Sequence, residues 1–163
     1  MFGKRKREQE WHSKKQWWLS QYDTSSDSRN TMLCNAYTYI KDMQNPELPE
    51  EVRNHAARRF AECKSYFIGL YKFCDELMLT SSLIHYDSFH NEYLCVSASQ
   101  DIESLEDLQV EFRIIPDDAK VDVSLSLDDI SFMRASFLSD DKELAKEYID
   151  VILEYHIREF PTI

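Results

Sequence analysis

Eight apolar residues between positions 52 and 77 constrain this chain most. Val52, Ala56, Phe60, Cys63, Phe67, Leu70, Cys74 and Leu77 advance by 4, 4, 3, 4, 3, 4 and 3. That spacing draws one nearly unbroken stripe down an α-helix, where residues three and four apart share a face. The seam predicts a helix over 50–79, about 45 Å long at 1.5 Å per residue. Such length in a chain of 163 residues leaves part of the helix free to serve a homo-oligomer or an antiparallel partner helix.

Two more helices precede it. Over 28–44, Met32, Leu33, Ala36, Tyr37, Ile40 and Met43 repeat the same spacing. The polar run Asp23–Ser28 before it supplies N-cap side chains, and Asn45–Pro49 after it reads as a turn. Residues 4–22 are also helical in pattern, with Trp11, Trp18 and Tyr22 on one face and Trp17 pointing elsewhere.

Past residue 92 the period changes from 3.6 to 2. Residues 93–98 read as a strand. Val110, Phe112 and Ile114 alternate with Glu111 and Arg113, and Val121, Val123, Leu125 and Leu127 alternate with polar residues. With Pro116–Ala119 as the turn, 109–127 is expected to be an antiparallel hairpin with one wet face. Asp128 and Asp140 then stand where two C-terminal helices would be capped, the first over about 129–138. The expected fold is α+β: N-terminal helices, one of them long, a small antiparallel sheet, and C-terminal helices. Residues 1–22 form an arm and 23–163 a single domain. Its core is drawn from Leu33, Tyr37, Ile40, Phe60, Cys63, Phe67, Leu70, Cys74, Val110, Phe112, Val123, Leu125, Phe137, Tyr148 and Ile152.

Several function classes are disfavoured outright. Only Gly3 and Gly69 are glycines, so no Gly-rich phosphate loop exists. No apolar run reaches the roughly 18 residues of a membrane span, and no apolar stretch follows the basic start as in a signal peptide. Cys34, Cys63, Cys74 and Cys95 form no CxxC pair and read as reduced, mostly buried thiols of a cytoplasmic protein. Cys63 and Cys74, eleven apart on one helix, would sit about 16 Å apart, too far to bridge.

Charge is divided unevenly. Residues 1–22 hold six basic side chains (Lys4, Arg5, Lys6, Arg7, Lys14 and Lys15) against Glu8 and Glu10. The rest of the chain holds 13 basic and 28 acidic side chains. Within 101–150 alone there are 15 acidic and 5 basic residues, with acids paired at Glu106-Asp107, Asp117-Asp118, Asp128-Asp129 and Asp140-Asp141. Such a surface suits a basic protein partner, with fast and salt-sensitive association. The plain alternative is solubility plus helix capping.

The arm carries Trp11 and Trp18 beside its cations. It suits an anionic membrane surface or an acidic partner, or else it is a solvated tail whose tryptophans pack on the body. The acidic body disfavours nucleic acid. One further cluster, His85, Asp87, His90 and Glu92, has metal-ligand residue types. In a helix the two imidazoles lie about 140° apart and in a strand they face opposite ways. Only Asp87 and His90 would converge. The plain reading is a polar connector, and the alternative is a metal-dependent hydrolase. No coherent catalytic set and no cofactor motif is visible. The leading expectation is therefore a non-catalytic regulator (an adaptor, inhibitor or chaperone-like protein) with an acidic face.

Overall fold

The computed structural model describes residues 2–99, 102–116 and 160–163. Within them the fold is α+β, with three helices followed by a three-stranded antiparallel sheet. The helices are α1 (Phe2–Gln21), α2 (Ser26–Gln44) and α3 (Glu50–Phe73). The strands are β1 (Leu83–Asp87), β2 (Glu92–Ala98) and β3 (Val110–Pro116), in the order β1-β2-β3. The chain divides into two compact units. The first is Met1–Leu79 with Ala98–Val110, and the second is Thr80–Ser97 with Glu111–Ile163.

In the first unit α2 begins as the Asp23–Ser28 run predicts. Ser25 is its N-cap, and its hydroxyl accepts from the Ser28 amide at 3.3 Å. Asp23 accepts from the Ser25 amide at 2.9 Å, and this bond holds its carboxyl below the ordinary carboxylate value. Leu33, Ala36, Tyr37 and Ile40 of α2 are buried, as are Ala56, Phe60, Cys63, Phe67 and Leu70 of α3. The two stripes pack against each other, which is why the 3–4 spacing was so regular.

α3 is shorter than the seam suggested. It stops at Phe73, with Cys74 extended at φ −89° and its amide bonded to the Leu70 carbonyl. Leu77 is buried all the same, since a turn returns its amide to the Cys74 carbonyl at 3.1 Å. A buried residue reached through a turn imitates one more helical step. At the other end Val52 is 42% exposed and lies off the core.

α1 docks on α3 through aromatic rings. Trp18 is buried, with its ring centroid 5.8 Å from Phe73 and 6.0 Å from Tyr66. Tyr22 stacks on Trp18 at 4.8 Å, and Trp11 lies 5.1 Å from Phe73. The Tyr66 hydroxyl donates to the Asp23 carbonyl at 2.7 Å and fastens the α1–α2 turn. Lys15 pairs with Asp75 at 2.5 Å, a largely exposed contact of small energetic weight. The 3₁₀ turn Leu105–Asp107 is held from below by Leu108, which is fully buried, and from the side by Lys72 Nζ, which donates to the Glu106 carbonyl at 3.2 Å.

In the second unit the main correction is at 83–92. The expected polar connector is a strand, a four-residue turn and the start of the next strand. β1 pairs antiparallel with β2, in the register Leu83↔Val96 to Asp87↔Glu92. Asn91 closes the turn at φ +50°, a left-handed conformation that asparagine tolerates better than most residues. Strict alternation hid the strand because β1 is only five residues long and three of them, His85, Tyr86 and Asp87, carry polar atoms. Ile84, Tyr86, Tyr93, Cys95 and Ile115 form one apolar cluster, with Phe160 packed against it.

β3 departs from the expected wet face. Phe112 is buried as predicted, but Arg113 is buried too, and Ile115 rather than Ile114 is the deeper isoleucine. Guanidinium burial is compensated by the Phe160 carbonyl and the Glu111 carboxylate, partners that alternation along one strand does not reveal. The expected pairing strand 121–127, the helix 129–138 and the helix capped by Asp140 lie outside the described residues. So do the core positions Val123, Leu125, Phe137, Tyr148 and Ile152.

Candidate functional site

Of the six acidic residues expected to receive a partner, Glu106 and Asp107 are described. Both are exposed on the 3₁₀ turn. The Ser104 hydroxyl donates to Asp107 at 3.2 Å and orients its carboxylate. Glu103, just before this turn, is exposed as well. The backbone that carries Glu106 and Asp107 is followed by the buried Leu108 and bonded to Lys72 through the Glu106 carbonyl. Asp117, Asp118, Asp128 and Asp129 lie outside the described residues.

The basic arm separates into two faces. Lys4, Arg5, Lys6, Arg7 and Lys14 are exposed, with Arg7 Nε donating to the Gly3 carbonyl at 3.2 Å. Lys15 turns to Asp75. Trp11 and Trp18 lie against α3, so the aromatic face is spent inside the protein, and Trp17, 62% exposed, is the tryptophan left to solvent.

The structure brings Asp87 and His90 together across the hairpin turn. His90 donates its backbone amide to Asp87 Oδ2 at 2.8 Å, and its ring Nδ1 lies 2.7 Å from the same oxygen. One carboxylate oxygen thus closes the turn twice. This convergence needs a turn, not the helix that the three-residue spacing suggested. Glu92 stands opposite Asp87 in the register, and His85 is two residues along the same strand face. Among the described residues no group of three or more His, Cys, Asp or Glu side chains comes close enough to hold a metal ion. Asp87 and His90 thus form the turn-closing pair, with Glu92 and His85 as neighbours on the hairpin.

The four cysteines form no disulfide. Cys34 is exposed, and Cys63, Cys74 and Cys95 are buried. Burial, reinforced by the Glu62 carboxylate, pushes the Cys63 thiol up to about 11. Arg29 Nη2 donates to Cys74 Sγ at 3.2 Å.

Reading by residue type missed Arg113. It is 6% exposed, its Nε donates to the Phe160 carbonyl at 3.1 Å, and its Nη1 lies 3.0 Å from Glu111 Oε2. A charged residue between two apolar ones on a strand normally marks the wet face, so the sequence held no signal for its burial.

No helix among the described residues is long and apolar enough to cross a membrane. Compared with known proteins, the chain matches no family model, no curated protein and no solved structure.

Proposed function

We propose that this protein is a non-catalytic binding protein that receives a basic protein partner on an acidic surface. The observation that carries the reading is the charge of residues 101–150, 15 acidic against 5 basic. The exposed Glu106 and Asp107, on a turn fixed to α3, support it. Carboxylates in this density steer a cationic protein from a distance and fix its register on contact. Partners of this kind include enzymes with basic active-site grooves and nucleic-acid-binding proteins.

The test compares the native mass of the protein in host-cell lysate at low salt and at about 0.5 M salt. A variant neutralised at Glu106, Asp107, Asp117, Asp118, Asp128 and Asp129 is run beside it. A complex with one basic protein, lost both in high salt and in the variant, supports the reading. A complex that survives neutralisation, or none under any condition, overturns it.

A further inference from the structure

α1 carries its cations in a way that folding does not account for. Its first turn holds no acidic residue, and Lys4, Arg5, Lys6 and Arg7 follow one another near its start. Cations beside the N-terminal end of a helix oppose its macrodipole. All four are exposed, as is Lys14. Among the described residues no carboxylate forms an ion pair with any of the five, although the chain has 30 acidic side chains.

The side of α1 towards α3 is already occupied. Trp11 and Trp18 pack against Phe73, and Lys15 pairs with Asp75. On the flank beside it, at 100° per residue, Lys6, Arg7, Glu10, Lys14 and Trp17 fall within an arc of about 100°. No other charged residue of α1 lies in that arc, so three cations stand against one carboxylate. All five side chains are exposed, and Trp17 is 62% exposed.

We propose that this flank of α1 binds the surface of an anionic lipid bilayer. Trp17 sits at headgroup level, and Lys6, Arg7 and Lys14 meet the lipid phosphates and carboxylates. The helix lies on the bilayer and does not cross it. The inference does not rest on the acidic-surface reading.

Three features favour a bilayer over another polyanion. The indole of Trp17 has an apolar body and one N–H donor, and the headgroup region accommodates both. From Lys6 to Trp17 the flank runs about 16 Å along a regular helix, so its side chains reach a flat surface together. A nucleic acid calls for several rings on which bases stack, and Trp11 and Trp18 are spent on α3. One exposed indole is also too little for the apolar core of a protein interface.

The rest of the chain sets the orientation. Outside residues 1–22 it holds 13 basic and 28 acidic side chains, which the same lipid repels. Contact is attractive only with α1 towards the bilayer, and salt weakens it.

The probe is a phosphatidylcholine vesicle containing about 30 mol% phosphatidylserine, with pure phosphatidylcholine as control. The full chain is expected to co-float with the first at about 0.1 M salt and not with the second. Brominated lipid should quench the tryptophan emission. Trp17→Phe should remove most of that quenching, because Trp18 is buried and Trp11 half-buried. Lys6→Gln combined with Lys14→Gln should weaken partitioning about thirtyfold with an unchanged circular dichroism spectrum. Absence of flotation, equal flotation with both lipids, or partitioning unchanged in the double variant overturns the proposal. Quenching that survives Trp17→Phe overturns it too. So does binding of a DNA duplex or of polyglutamate tighter than binding to the anionic vesicle, since the cations then serve another class of partner.

Discussion

Gly69 of α3 lies directly beneath the indole of Trp18, so close that a methyl group on Gly69 would overlap the ring atoms Cε2, Nε1 and Cζ2. The absence of a side chain at one residue creates the seat for the buried tryptophan of α1. Gly69→Ala should therefore push α1 off α3. Alanine's helix preference returns about 1 kcal/mol, but displacing a rigid buried ring costs about 1–3 kcal/mol and more if α1 undocks. A net loss of stability in urea, with a red shift of tryptophan emission, is expected. Gly3→Ala is the control, since nothing lies within 4 Å of its added carbon. It should leave the emission unchanged.

The adjacent tryptophans should behave oppositely. Trp18→Ala empties a buried site and is expected to cost about 3–5 kcal/mol. Trp17 is 62% exposed, so Trp17→Ala should stay within about 0.5 kcal/mol. Chemical denaturation of both variants checks this.

Thiol chemistry should follow burial. In the native protein at neutral pH, iodoacetamide should modify Cys34 well before Cys63, as mass mapping would show. Because folding raises the Cys63 thiol to about 11, the fold favours its neutral form. Its contribution to stability is intact below about pH 8.5, where the unfolded thiol is also protonated, and is lost as pH rises towards 11. A Cys63→Ala variant should show a weaker decline of stability over that window. The same decline in both would refute the assignment.

Removing the Tyr66 hydroxyl by Tyr66→Phe leaves the Asp23 carbonyl without its 2.7 Å donor. About 1 kcal/mol of stability should go, with faster exchange of amides in the 22–25 turn.

Reversing Lys4, Arg5, Lys6 and Arg7 to glutamate should leave the melting temperature nearly unchanged, since all four are exposed. That variant isolates the charge of α1 in a flotation assay with anionic liposomes. Deleting residues 1–22 does not, because deletion also strips Trp18 from α3. Flotation of the parent that the reversal abolishes would assign α1 to an anionic surface. Absence of flotation would leave its cations to solubility.

Sequence periodicity determined which residues share a face. It placed the buried stripes of α2 and α3, the Ser25 cap region, the turn at 45–49 and the strands β2 and β3, because helices and strands repeat with fixed local periods. It also separated Trp18 from Trp17. Tertiary structure decided what each face meets. The end of α3 at Phe73, the seat of Trp18 on Gly69 and the hairpin that joins Asp87 to His90 all follow from partners or turns that no local period encodes. So does the burial of Arg113 by Phe160, far along the chain. A guanidinium on a strand is read as exposed until a distant carbonyl accepts its hydrogen bond, and only folding brings that carbonyl there.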